Sequence, residues 1–230
     1  MDASRLPQVT QDEKSLDLAA RYAPIIRADE REPFELVAVG YTIFDREDAS
    51  PSFKRRVEWG SAGYPAMRAI EYALWWDWDI GHLYELEHAW IFLDARDQVV
   101  AVEASWHGMF GQAEDAQFED THPILFAQPG KHAMAGNVSA FQEIREWAER
   151  EAGADAGKDG LLDNGLFRGK LPKTPEADAR VNAYLKRRAF TPTWNFSKRF
   201  EITRALLVPW RALAEWIPAR VAWCLEQIED

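Results

Sequence analysis

Short apolar runs separated by turn residues fill the first half of the chain. "FELVAVGYTIF" (34–44) and "ELEHAWIFLDA" (85–95) are rich in β-branched and aromatic residues and read as strands. "RDQ" marks a tight turn, and "VVAVEASWHG" (99–108) is the returning strand of a hairpin. "HPILFAQPGKHAM" (122–134) is a further strand that closes in a Pro-Gly turn, and "APIIR" starts extended after Pro24. Residues 66–78 are apolar almost throughout, which leaves helix and strand open, with strand favoured toward their end. "REDASPSFKRR" is a charged loop or hairpin tip. Ahead of all this, Leu16, Ala19 and Ala20 fall on one side of a short helix over 10–21.

The period changes at residue 139. Ser139 and Gln142 fit a capping box before "FQEIREWAERE", and Thr174-Pro175 opens a second helix. Residues 197–208 and 210–228 are predicted helical, separated by Pro209, with a kink at Pro218. Strands over 25–134 without crossover helices predict antiparallel pairing. The expected fold is mainly β with α: an antiparallel β-sandwich over 1–138, followed by a helical half over 139–230 packed on it as one compact unit.

Charge sharpens this picture. The 230 residues carry a net charge of −11, and residues 1–160 hold 30 of the 38 acids but only 15 of the 27 bases. An acidic body argues against nucleic acid as a partner. The basic C-terminal part is expected to dock on that body, with anionic lipid as the lesser alternative. The single cysteine, Cys224, leaves no internal disulfide and no Cys-based zinc site. No basic start followed by an apolar run opens the sequence, so a soluble, cytoplasmic protein is expected.

The candidate chemistry lies in "WWDWDIGHLYELEHAWIFLDA" (75–95). Alternation puts Glu85 and Glu87 on one strand face with Ala89, Ile91 and Leu93, and His88, Trp90 and Phe92 on the other. In the returning strand Glu103, Ser105 and His107 share a face. A turn at 95–98 pairs Glu87 with a residue near Glu103, which predicts a cluster of Glu85, Glu87, Glu103 and His107. His82 follows Gly81, and His132 follows Gly130 at the end of the next strand. Imidazole with several carboxylates suits a divalent cation of mixed nitrogen and oxygen coordination; a hydrogen-bonded polar turn is the plainer alternative. His88 reads as core and His122 as surface. Trp75, Trp76 and Trp78 read first as packing and second as a ligand platform. Lys131 and Arg68 are either solvated or ready for an anionic group. Asp77 and Asp79 with Glu85 and Glu87 would also make a glycosidase pair, which leaves the histidines unexplained.

Gly81-His82-Leu83-Tyr84-Glu85-Leu86-Glu87 resembles the Gly-His-x-His-Asp-x-Glu motif of the necrosis-inducing-protein superfamily, departing from it at Tyr84 and Glu85. The order of Tyr22-Ala23-Pro24, Asp29-Glu30, Pro33-Phe34, Glu85-Leu86-Glu87-His88, His107-Gly108 and Gly130-Lys131-His132-Ala133 is similar to that in its intracellular, vacuolar-protein-sorting-like relatives, over 22–134. The resemblance implies a β-sandwich that binds a divalent cation through His82, Glu85 and Glu87, with Asp77 or Asp79 as a further acid and His107 and His132 bordering the site. It covers nothing of 139–230, and the toxin activity of secreted members does not follow from it.

The expected cofactor is therefore Zn, Mn, Mg or Ca. The first expected function is a metal-dependent hydrolase of a phosphoester or related substrate, with His107 or His132 moving the proton. The alternative is a non-catalytic, metal-dependent module for a glycan or lipid headgroup, and the third is a purely structural polar network. No interface stripe assigns an oligomeric state.

Overall fold

In a computed structural model, which describes residues 2–163 and 165–228, the chain is mainly β with α. Its centre is an antiparallel hairpin of two long strands, Arg68–Trp78 and His82–Leu93, paired from Arg68↔Leu93 to Trp78↔Leu83. This resolves the ambiguous run as strand over Arg68–Trp78: both faces of that segment are covered, so a nearly continuous apolar run is what the position demands. Around the hairpin a seven-stranded sheet runs in the order 207–209, 36–44, 68–78, 82–93, 99–106, 109–112, with 160–161 beside the start of 82–93. A five-stranded sheet is ordered 134–135, 122–127, 25–28, 198–201, with 118–119 also on 122–127.

One continuous core joins the sheets and the helices. It includes Ile26, Leu125, Tyr72, Trp75, Trp76, Leu213 and Trp216. The other face of the hairpin buries Trp90, Phe92, Ala69 and Phe44 with Val57 under the small two-stranded ribbon of 48–49 and 56–57. Alternation along 89–93 is thus as the pattern predicts, with Ile91 and Leu93 in one cluster and Trp90 and Phe92 in the other.

Four helices complete the fold: α1 (Glu13–Tyr22), α2 (Arg145–Ala152), α3 (Pro175–Lys186) and α4 (Trp210–Glu226). Thr174 caps α3 by accepting from Ala177 N at 3.1 Å, with Pro175 in its first turn. α4 runs through Pro218 and presses on the sheet at Gly40, where an added Cβ would lie 3.0 Å from Leu213 and Trp210.

Three expectations change. Residues 197–208 are not helical: Lys198–Glu201 pairs antiparallel with Ile25–Ala28, burying Phe200, and Leu207–Pro209 lies parallel to Leu36–Phe44. Sheet-edge hydrogen bonds override local helix propensity there. Pairing is not wholly antiparallel, since 25–28 with 122–127 and 160–161 with 82–83 are also parallel. Ser139 does not open a helix by its own side chain. Asn137 caps a short 3₁₀ turn, Val138–Phe141, and α2 begins only at Arg145. The basic C-terminal side chains do dock on the acidic body: Arg199 holds Glu119, Lys198 holds Glu35 and Arg204 holds Glu13. Among the described residues no helix is long and apolar enough to cross a membrane.

Candidate functional site

Two local irregularities shape the site. Between Phe92 and Leu93 the register against 99–106 slips by one residue, a β-bulge, so Glu103 lies opposite Trp90 and Ala104 opposite Ala89. A one-residue slip turns a strand's side chains to the other face. Glu103 therefore joins the Trp90 side, where Arg55 Nη1 donates to it at 2.6 Å and the Tyr64 hydroxyl at 3.1 Å. The expected cluster of Glu103 with Glu87 is corrected accordingly. The second irregularity is Tyr84, whose φ of 62° lies in the left-handed region. It breaks strict alternation and lets His82 and Glu85, of opposite parity, face one point.

That point is a convergence of three ligand atoms from Asp79, His82 and Glu85, all within 4.8 Å of one another. His82 Nε2 lies 3.6 Å from Asp79 Oδ1 and 3.8 Å from Glu85 Oε2. His82 Nδ1 is 2.7 Å from the Tyr84 carbonyl. A carbonyl only accepts, so Nδ1 carries the proton. Burial holds the imidazole pKa below its usual value, against the opposing pull of Asp79. The neutral ring then turns an unprotonated Nε2 lone pair toward two carboxylates. Asp79 is fully buried, and its Oδ2 has no hydrogen-bond partner.

Lys131 is the resident counter-charge. Its buried Nζ sits 2.6 Å from Asp79 Oδ1. Burial opposes ionisation of both groups, yet Asp79 is held below and Lys131 above the ordinary value by their mutual attraction, His82 adding to the pull on Asp79. Gly81 makes the approach possible: a Cβ there would meet Asp159 Oδ2 at 2.9 Å, Lys131 Nζ at 3.1 Å and Asp79 Oδ1 at 3.2 Å. Glu85 is pushed well above the carboxylate range by burial, then by Glu87 and Asp79.

Glu87 is beside this group, where the hairpin opens. Strand pairing ends at Ala89↔Ala104, and below it the Ser105 hydroxyl stands in for a backbone partner. Ser105 Oγ accepts from His88 N at 2.6 Å and donates to Glu87 Oε2 in a very short contact. His107 N donates to Glu87 Oε1 at 3.1 Å. Burial raises the Glu87 pKa to about 7, against these hydrogen bonds. A cleft of about 720 Å³ opens over His82, Glu85, Glu87 and His107, walled by Phe53, Leu166 and Phe167.

The other expected residues fall elsewhere. Asp77 takes a bidentate ion pair from Arg220 on α4, at 2.9 and 2.7 Å, and is not in the convergent group. His132 is fully buried, stacked on Trp76 with centroids 4.5 Å apart, with Nε2 3.3 Å from Glu32. It lines no part of the cleft. His107 does line it, with Nε2 3.1 Å from Gln128 Oε1. His88 is core as expected, bonded to Ser52 at 2.9 Å and depressed by burial to a pKa of about 3. His122 is half-buried, with Nδ1 2.8 Å from the Ala23 carbonyl. Trp75, Trp76 and Trp78 stack on Tyr84, His132 and Tyr184, which makes them packing. Arg68 pairs with Asp45. Asp29, which the sequence marks only through the resemblance, accepts from the Thr193 backbone; Glu32, Glu71 and Arg55, which no sequence pattern marks, are buried or ion-paired groups whose partners lie elsewhere in the chain.

No protein family matches the chain, and no curated protein matches it by sequence. Similar solved structures include NLPPya in complex with glucosamine, 16% identical, covering 58% of this chain and 73% of that one at a TM-score of 0.39. A triple mutant of NLPPya is 17% identical over 64% of this chain and 86% of its own, at 0.36. A protein described as a toxin fold for microbial attack and plant defense is 15% identical over 59% and 75%, at 0.37. The likeness of the Gly81–Glu87 motif to a superfamily pattern rests on sequence. At such TM-scores these structures carry no argument about ligand or activity, and the vacuolar-sorting-like likeness rests on sequence alone.

Proposed function

We propose that the chain binds one divalent cation at Asp79, His82 and Glu85, and that the bound cation holds an oxygen-rich ligand, a glycan or a lipid headgroup, in the 720 Å³ cleft above it. The orientation of His82 carries this reading. Metal-ligating histidines commonly donate their second ring nitrogen to a backbone carbonyl, and His82 does this to Tyr84 while its free lone pair meets two carboxylates. Lys131 and Gly81 N both engage Asp79 Oδ1, but the buried Oδ2 has no partner and the nearest carboxylate oxygen to His82 Nε2 is 3.6 Å away, coordination capacity that a cation would fill. One imidazole with two carboxylates suits Zn or Mn ahead of Mg or Ca.

When bound, the cation supplies a Lewis-acidic contact for a ligand hydroxyl or phosphoryl oxygen. The chain's own residues do the rest. Lys131 neutralises Asp79 at Oδ1, Ser105 and the His107 backbone fix Glu87, and Phe53, Leu166 and Phe167 offer an apolar wall. Binding is favoured over hydrolysis because both oxygens of Glu87 are engaged and His107 Nε2 is tied to Gln128. Hydrolysis is the second reading, favoured by Glu87 and His107 lining the same cleft and by a Glu87 pKa near neutrality.

Calorimetric titration of Mn²⁺ into wild type and Glu85→Gln tests the site. One binding event, weakened at least tenfold in the variant, supports it; equal uptake by both overturns it. Metal-stimulated turnover of 4-nitrophenyl phosphate, lost in Glu87→Gln, would move the assignment to hydrolase.

A further inference from the structure

A second cavity, of about 490 Å³, lies on the far side of His107. Its size suits a small organic molecule. The walls are Trp106, Trp147, Phe141, Ile144 and Met134, and the lining includes Glu114 and Asp115 but no Lys or Arg. Trp106 and Trp147 are half-buried. Trp147 makes a T-shaped ring contact with His107, at 5.5 Å and 86°. Gly111 brings the Trp106 ring close to the chain: a Cβ there would lie 3.0 Å from its Cη2. Among the described residues neither indole N–H finds a hydrogen-bond partner. Burial keeps the His107 imidazole below its usual pKa, so it adds no positive charge at neutral pH.

We infer that this cavity is a binding site for a small organic ammonium ion, separate from the divalent-cation group. Three observations combine. Indole faces attract cations through their quadrupole, and Trp is the best of the aromatic side chains at this. The two carboxylates on the lining, with no basic side chain among them, fix the sign of the preferred charge. The chain's net charge of −11 adds to the same potential. An alkylammonium fits better than a hydrated inorganic ion because Trp106, Trp147, Phe141, Ile144 and Met134 can cover its methyl groups. An anion is repelled by Glu114 and Asp115, and a neutral molecule forgoes the aromatic attraction.

Calorimetry and indole N–H NMR shifts with choline, its neutral isostere 3,3-dimethyl-1-butanol, and benzoate test this, all in EDTA so that the divalent site cannot contribute. Choline is expected to saturate, with the neutral isostere about tenfold weaker and benzoate silent. Trp147→Ala should weaken choline tenfold or more. Glu114→Gln with Asp115→Asn, both exposed and therefore safe for folding, should weaken it severalfold and flatten its salt dependence. Equal binding of choline and its isostere, stronger binding of benzoate, or no saturable signal with choline would each overturn the assignment.

Discussion

Replacing Lys131 by Met keeps the length and apolar stem of the side chain and removes the ammonium. In wild type that ammonium is 6% exposed and lies 2.6 Å from an Asp79 carboxylate that is 0% exposed. At an effective dielectric of about 20 the pair is worth roughly 6 kcal/mol of attraction, part of which offsets desolvation. Breaking a buried pair by removing one partner costs about 3–5 kcal/mol, because the other charge stays buried and unpaired. For a chain of this size that is a fall in Tm of roughly 6–20 °C in EDTA. A divalent cation at Asp79, His82 and Glu85 would restore counter-charge to the same carboxylate. At a hundred times its Kd it would return about 2.7 kcal/mol, so most of the loss should be recovered. The assay is thermal and urea unfolding of wild type and Lys131→Met, each in EDTA and in excess Mn²⁺ or Zn²⁺. A cost below about 1 kcal/mol in EDTA would refute the buried-pair reasoning. A full cost that no divalent ion relieves would refute the link between Lys131 and the cation site.

Arg220→Met should destabilise by about 3–5 kcal/mol in urea unfolding, leaving Asp77 unpaired, while Mn²⁺ affinity stays within twofold of wild type. Gly81→Ala should push apart Asp159, Lys131 and Asp79; calorimetry should show Mn²⁺ binding at least tenfold weaker at a stability cost of about 1–3 kcal/mol. His88 has a folded pKa of about 3, below its unfolded value, so its contribution is present above pH 6.5 and is lost as pH falls. Unfolding in EDTA should show a loss from this group of roughly 3 kcal/mol between pH 6.5 and about pH 4, and His88→Phe should flatten that part of the slope.

Much of the site was legible because it is local. Asp79, His82 and Glu85 fall within seven residues, and Gly81 marks the turn that gathers them. The β-rich first half was equally readable from its apolar runs. What escaped depends on single-residue irregularities and distant pairing. No residue pattern announces the bulge that sends Glu103 to Arg55, or the left-handed Tyr84 that brings His82 to Glu85. Asp77 and Asp79 look equivalent two residues apart. Only Arg220, 143 residues later, decides that Asp77 belongs to a helix contact. Lys131 reads as a lone solvated cation until the chain brings it under Gly81. His132 also follows a glycine, yet stacking on Trp76 and pairing with Glu32 draw it into the core. Strands 198–201 and 207–209 exist because sheet edges needed partners, a tertiary demand invisible in their local composition.

The most direct test of the cation site is the metal content of untagged protein, by elemental mass spectrometry, for wild type and His82→Ala after incubation with Zn, Mn, Mg and Ca and removal of free ions. About one equivalent of a divalent metal is expected in wild type, and its loss in a variant that still unfolds cooperatively in EDTA, at a midpoint lowered by the missing imidazole and its bond to Tyr84. Wild type that retains none of the four ions, or a variant that retains as much as wild type, would contradict the assignment.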